Sequence, residues 1–202
     1  MQWAKRNGLE LAVNLAKIHR GVKTQSLIAS SEDAIENASF SCYRLDVSGK
    51  IKSLEALREI GAAARASGQT IVFTNGCFDL LHRGHLHILR QAKACGDILI
   101  VAVNSDRSVK MIKGPSRPVL AEKDRLELIA ALEMVDYVVL FDEPDPYRVI
   151  DALRPNVLAK GGDWGIERII GSDIVEKAGG RIVVIPYLKG FSTTKIIERI
   201  RS

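Results

Sequence analysis

Residues 71–85 read IVFTNGCFDLLHRGH, and the two halves of this stretch follow different periodicities. Ile71, Val72 and Phe73 are a continuous run of β-preferring apolar residues, the pattern of a strand covered on both faces. After the polar and glycine residues Thr74, Asn75 and Gly76, the apolar positions from His85 to Ala94 recur at helical spacing. Outward from here the alternation repeats. Ile98 to Val103, Tyr137 to Phe141, Val157 to Ala159 and Arg181 to Ile185 read as strands; Lys123 to Met134, Tyr147 to Leu153 and Asp173 to Ala178 read as helices. Short apolar strands each followed by a helix predict a doubly wound, Rossmann-like α/β domain with about five parallel strands. Ahead of the first strand, Ser53 to Ala66 reads as a helix with Ser53 as its N-cap and Gly68 beyond its end.

Residues 1–50 do not continue this pattern. One amphipathic helix is expected from Ala4 to Ile18, and the Ser-, Ala- and Asn-containing stretch to Phe40 has weak periodicity. The chain is therefore read as an N-terminal helical appendage, 1–50, and one main domain, 51–202. With 202 residues and 47% hydrophobic content, it is long enough for a single well-buried core.

The formal net charge of +5 is spread along the chain without a basic block, which suits anionic small substrates as well as nucleic acid. No RNP-like aromatic pattern, helix-turn-helix or basic arm is present, so no nucleic-acid partner is expected. Cys42, Cys77 and Cys95 are odd in number and contain no CxxC pair, which argues against a disulfide framework or a zinc cage and favours a reducing cytoplasm. No apolar run approaches the roughly 18 residues of a membrane helix, and the first residues lack a signal-peptide pattern. Neither export nor a membrane span is expected.

Ligands of doubly wound sheets bind outside the carboxyl ends of the strands. Three such ends are unusual here: Thr74-Asn75-Gly76-Cys77-Phe78-Asp79, Asn104-Ser105-Asp106, and Lys160-Gly161-Gly162-Asp163-Trp164. His82, His85 and His87 crowd directly after the first of them. A single histidine near a helix start is usually solvated or packed, and His87 is read as structural. His82 and His85 flank Gly84 where a helix begins, and unpaired N–H groups with a positive dipole end favour an anion there. Gly84 lets backbone approach that anion, and two imidazoles can donate to phosphate oxygens. Elsewhere local readings compete: Lys110 and Lys113 beside Gly114-Pro115-Ser116-Arg117-Pro118 could be solvated surface, Arg125 could pair with Glu122 or Asp124, and Ser192 could be only an N-cap.

The segment GCFDLLHRGH resembles the GxFDxxHxGH element of the cytidylyltransferase-like nucleotidyltransferases, and the similarity extends from about Ile71 to Ile200. The resemblance implies in-line attack of a substrate phosphate on the α-phosphate of a nucleoside triphosphate, releasing pyrophosphate without a covalent enzyme intermediate. His82, His85 and Lys113 are the catalytic residues it implies, with Lys113 and Arg117 at the substrate phosphate. Thr74, Asn75, Gly76, Cys77, Phe78, Gly84, His85, Arg125, Lys160, Gly161, Asp163 and the Ser192-Thr193-Thr194 element are the nucleotide-binding residues it implies. Mg²⁺ is expected to ride on the nucleotide, with neither Asp79 nor Asp163 expected as a direct ligand.

Within the family, VAVNSD, KGPSRPV, LAKGGDW and GGRIVVIPYLKGFSTTKIIERI are most similar to the heptose-1-phosphate adenylyltransferases of lipopolysaccharide synthesis. That implies ATP and a sugar 1-phosphate as substrates, giving ADP-heptose. The glycerol-3-phosphate cytidylyltransferases share the HxGH and STT parts and are the alternative, and a non-catalytic nucleotide sensor is the alternative of another class. Asp145-Pro146 departs from the usual Thr-Pro of the heptose relatives, at a helix start where either residue can cap. Glu10 to Asn37 resembles the tail of the sugar-kinase domain fused ahead of this transferase in bifunctional relatives. It lacks a Gly-rich anion hole with a catalytic Asp, so no kinase activity is expected. A homo-oligomer is expected.

Overall fold

The computed structural model describes residues 47–162 and 169–202. The expected helix Ala4 to Ile18, Cys42, Asp163 and Trp164 lie outside the described residues.

A short 3₁₀ turn, Ser48–Lys50, precedes α1 (Leu54–Ala66), β1 (Ile71–Gly76), α2 (Arg83–Lys93), β2 (Ile98–Asn104), α3 (Asp106–Lys113) and α4 (Glu122–Ala130). Then come β3 (Tyr137–Phe141), α5 (Tyr147–Leu153), β4 (Val157–Gly161), α6 (Ser172–Lys177), β5 (Arg181–Ile185) and α7 (Thr193–Arg201). The five strands form one all-parallel sheet in the order β3-β2-β1-β4-β5. The doubly wound fold expected from the alternating pattern is the fold observed. The strand order reverses between β1 and β4.

Period-two geometry explains why the strands read as unbroken apolar runs. Val72, Leu99, Val101 and Val103 face one cluster with Leu89, Leu126 and Ile129 from α2 and α4. Ile71, Phe73, Ile100 and Ala102 face a second with Leu57 of α1, Val149, Ile150 and Leu153 of α5, and Val175 of α6. Each face is covered, so the central strands stay apolar until their carboxyl ends, where Thr74, Asn75 and Asn104 fall. Burial of a side chain such as Phe73, fully enclosed here, contributes about 1.5–3 kcal/mol.

The helix starts follow local chemistry. Ser53 Oγ accepts from Ala56 N at 3.2 Å, as expected of an N-cap, and Gly68 takes the left-handed backbone (φ 73°) past the end of α1. The helix expected from Lys123 to Met134 is shorter: Ala131 caps it, and Leu132 and Val135 close turns in its place. Lys50 Nζ donates to the carbonyls of Leu132 and Val135 at those turns. Val47 and Ile51 pack on the first cluster, so the compact unit reaches back past residue 50.

Candidate active site

The loop leaving β1 and the start of α2 carry Cys77, Phe78, His82, Gly84 and His85. His82 is the N-cap of α2, and its Nδ1 accepts from Gly84 N at 3.1 Å. An Nδ1 that accepts leaves the proton of neutral His82 on Nε2, which can donate to a ligand. The His82 and His85 rings stack with centroids 3.9 Å apart and planes 18° apart, and Phe78 tilts against His85 at 5.4 Å. Burial, with His82 adding to it, brings the His85 pKa down to about 4. Burial also lowers that of His82. Both imidazoles are therefore neutral at pH 7, with room to gain charge as an anion arrives. His85 Nδ1 is buried without a hydrogen-bond partner among the described residues.

The start of α7 meets the start of α2. Thr193 Oγ1 donates to Leu80 O at 3.5 Å, Phe191 lies beneath the Arg83 guanidinium at 5.9 Å, and the Phe191 Cβ would stand 3.3 Å from a Cβ placed on Gly84. Two helix N-termini thus open onto one place. Ser192 Oγ caps α7 by accepting from Lys195 N at 3.2 Å, while Thr194 is exposed. Phe191, which ties the two helix starts together, was not singled out in the sequence; its position directly after Gly190 was the available signal.

The glycines and arginines expected near the nucleotide are closely surrounded by protein. A Cβ on Gly84 would sit 2.9 Å from the His82 ring, one on Gly76 3.1 Å from Phe78, and one on Gly161 2.4 Å from Ile88 Cδ1. Protein side chains lie close to each of these glycines. Arg125 is fully buried and its nitrogens are engaged: Nε to Leu120 O at 3.1 Å, one terminal nitrogen to Cys77 O at 2.6 Å, the other to Asp106 Oδ1 at 2.8 Å. It braces the loop after β1, and its acid is Asp106 rather than Glu122 or Asp124. Thr74 is buried within β1 at 2% exposure, with little surface to offer a nucleotide.

Asp79 is the other buried organiser. Its carboxylate accepts from Val119 N at 2.7 Å and Leu120 N at 3.1 Å and pairs with Arg117 Nε. The loop from Gly114 to Leu120 is thereby pinned over the end of β1. Arg117 spends only Nε on this pair, leaving its terminal nitrogens without partners among the described residues. Lys113 is exposed at the last turn of α3, before Gly114 with φ 92°. Lys160 is half-buried and its Nζ donates to Asn75 Oδ1 at 2.8 Å. Cys77, half-buried, has a thiol pushed up by burial, against which Lys113, Arg125 and Arg117 act electrostatically. Among the described residues no group of three or more His, Cys, Asp or Glu is placed to hold a metal ion, and no helix is long and apolar enough to cross a membrane.

A parallel doubly wound sheet with a histidine-bearing helix start at its carboxyl edge defines a nucleotidyltransferase-class domain. The family model for cytidylyltransferase-like proteins matches residues 73–199. The chain belongs to the cytidylyltransferase-like family. It is similar to a bifunctional protein HldE of Trichlorobacter lovleyi, 47% identical over 196 residues that cover 96% of this chain and 40% of the relative. Another bifunctional protein HldE, of Geotalea uraniireducens, is 50% identical over 157 residues, covering 78% of this chain and 32% of the relative. The chain thus spans at most 40% of these relatives' length. A pantoate–β-alanine ligase of Francisella tularensis superposes with a TM-score of 0.50 at 17% identity, covering 75% of this chain and 79% of that one, which is a likeness of fold.

Proposed function

We propose that this chain transfers the adenylyl group of ATP to a heptose 1-phosphate, giving ADP-heptose and pyrophosphate. The observation that carries the phosphate chemistry is the stacked, neutral His82–His85 pair at the joined starts of α2 and α7. An oxygen of the acceptor's phosphate attacks the α-phosphorus of ATP in line; the bond from that phosphorus to the bridging α,β-oxygen breaks, and pyrophosphate leaves with the electron pair. Little covalent work falls to the protein in such a transfer, so catalysis is positioning and stabilisation of phosphoryl oxygens.

His82 Nε2–H and the His85 imidazole serve that stabilisation. The first amides of α2 and α7, with Ser192, Thr193 and Thr194, hold nucleotide phosphates. Lys113 approaches from the end of α3 and the free end of Arg117 from the pinned loop. Mg²⁺ would arrive on the nucleotide, because the Asp79 oxygens are already engaged by the Gly114 to Leu120 loop. The choice of ATP and a heptose 1-phosphate rests on the sequence similarity of Lys160 to Trp164 and Gly190 to Lys195 to the heptose branch. A cytoplasmic, homo-oligomeric enzyme fits this reading, with Cys77 and Cys95 free.

The test is pyrophosphate release with Mg²⁺, each of ATP, CTP, GTP and UTP, and a panel of sugar and polyol phosphates. ATP with heptose 1-phosphate should give the highest kcat/KM. Faster turnover of CTP with glycerol 3-phosphate would replace the heptose reading with the cytidylyltransferase one.

A further inference from the structure

The ladder between β1 and β4 consists of two pairs, Val72 with Val157 and Phe73 with Leu158, whereas β1 stays paired with β2 as far as Gly76. Beyond Phe73 and Leu158 the sheet opens, at the reversal of strand order where such sheets take ligands. One side-chain contact spans the opening: Lys160 Nζ to Asn75 Oδ1 at 2.8 Å. Ile88 of α2 packs against Gly161 directly after this lysine, so the opening lies beneath the helix that carries the histidines.

The cations of this region divide into two kinds. Arg117 is matched by Asp79 and Arg125 by Asp106. Lys113 and Lys160 meet no carboxylate among the described residues. Lys113 is exposed on a helix end, but Lys160 is half-buried, and burial lowers its pKa. A cation held out of water beside a neutral amide is costly unless an anion joins it.

The reaction proposed above brings two anions into contact. The nucleotide's phosphates have the amides of two helix starts and the histidine pair. The acceptor's phosphate must be fixed in line against their repulsion, and a lysine of set direction in the crevice floor meets that need. Resting on that reading, we infer that Lys160, oriented by Asn75, binds the phosphate of the acceptor rather than the phosphates of the nucleotide.

The experiment compares the full chain with its Lys160→Met, Lys160→Arg and Asn75→Ala variants, measuring Kd for ATP by equilibrium dialysis without acceptor and KM for heptose 1-phosphate by pyrophosphate release. Lys160→Met should raise the acceptor KM on the order of 10- to 100-fold, the scale of a lost hydrogen bond to a charged group, with the ATP Kd within about twofold. Lys160→Arg should recover part of the loss, and Asn75→Ala should show a smaller loss in the same direction. A Lys160→Met protein that loses ATP affinity instead, or that is folded and unchanged in both constants, overturns the inference. If the wild type uses a different sugar or polyol phosphate, the heptose reading falls and the same comparison is made with that phosphate. A wild type that accepts no phosphorylated acceptor defeats the transferase reading and this inference with it.

Discussion

The carboxyl ends of β1 and β2 are equally polar and lie side by side, yet they have been put to different uses. After β2, Asn104 Nδ2 donates to Ser108 Oγ at 2.8 Å, Ser105 Oγ accepts from Ser108 N at 3.0 Å, and Asp106 accepts from Arg125. Ser108 in turn donates to Glu143 O at 2.7 Å. Each of these groups is answered by protein. After β1, the His85 Nδ1 has no partner among the described residues and both imidazoles are held neutral by burial, and beside it Lys160 of β4 has an amide but no carboxylate among the described residues. Unusual residues at a strand end are therefore weak signals by themselves; what separates a brace from a site is whether the polar groups are already satisfied.

The largest effect expected from this contrast is catalytic. His82→Ala and His85→Ala should each lower kcat by roughly 10²–10³, the scale of removing one donor to a developing oxyanion, with the melting temperature little changed. A folded His85→Ala protein with near-normal turnover would erase the distinction between the two ends. Arg125→Met tests the opposite side. Losing a buried guanidinium and its three engaged nitrogens should cost about 2–4 kcal/mol of folding stability by denaturant titration. Its effect on turnover should follow the disorder of the loop, with KM and kcat changing together; unchanged stability with a selective loss of ATP affinity would instead mark Arg125 as a phosphate ligand.

Much of this was legible before the structure. The strands were readable because both sheet faces are covered, and the start of α2 because Gly84 between His82 and His85 breaks the apolar pattern. Ser53 and Ser192 were readable as caps because capping is local. The fate of Arg125 was not, since its acid, Asp106, comes from a different helix and sequence proximity offered only Glu122 and Asp124. The packing of Gly161 was not legible for a similar reason: its neighbour Ile88 lies on α2, across a contact that no spacing rule encodes. Asp79 was not expected as a direct Mg²⁺ ligand, but its part in pinning the Gly114 to Leu120 loop was not legible, because that loop folds back onto it from a distant part of the chain.

A pH titration sharpens the comparison at intermediate scale. The folded pKa of His85, about 4, lies below the ordinary value near 6.5. The unfolded chain therefore binds more protons between these values, and stability rises with pH across that window. The contribution is complete above about pH 6.5 and is lost as the pH falls toward 4, by about 1–2 kcal/mol between pH 7 and 5. Urea unfolding of wild type and His85→Gln at both pH values checks this: the variant should lose less stability on acidification, and equal losses would contradict the burial of a neutral imidazole.

The smaller effects concern α7 and the N-terminal segment. Ser192→Ala removes an N-cap, expected to cost about 1 kcal/mol of stability, whereas Thr193→Ala and Ser192→Ala should each also weaken ATP binding if the start of α7 holds phosphates. A lower melting temperature with intact ATP affinity would leave only capping. A chain beginning at Leu45, which keeps Val47 and Ile51 on the core, should fold and turn over like the full protein. A folded but inactive shortened chain would bring the preceding residues into the active site or its assembly.

The claim on which the rest depends is that reacting phosphates sit against the His82–His85 pair. Its most direct measurement is the NMR titration of the histidine imidazoles with and without Mg²⁺ and a non-hydrolysable ATP analogue. Bound phosphate should raise the His85 pKa from about 4 by at least about one unit, because a nearby anion favours the charged imidazole. An analogue that binds at saturation and leaves the titrations of His82 and His85 unmoved would contradict the account.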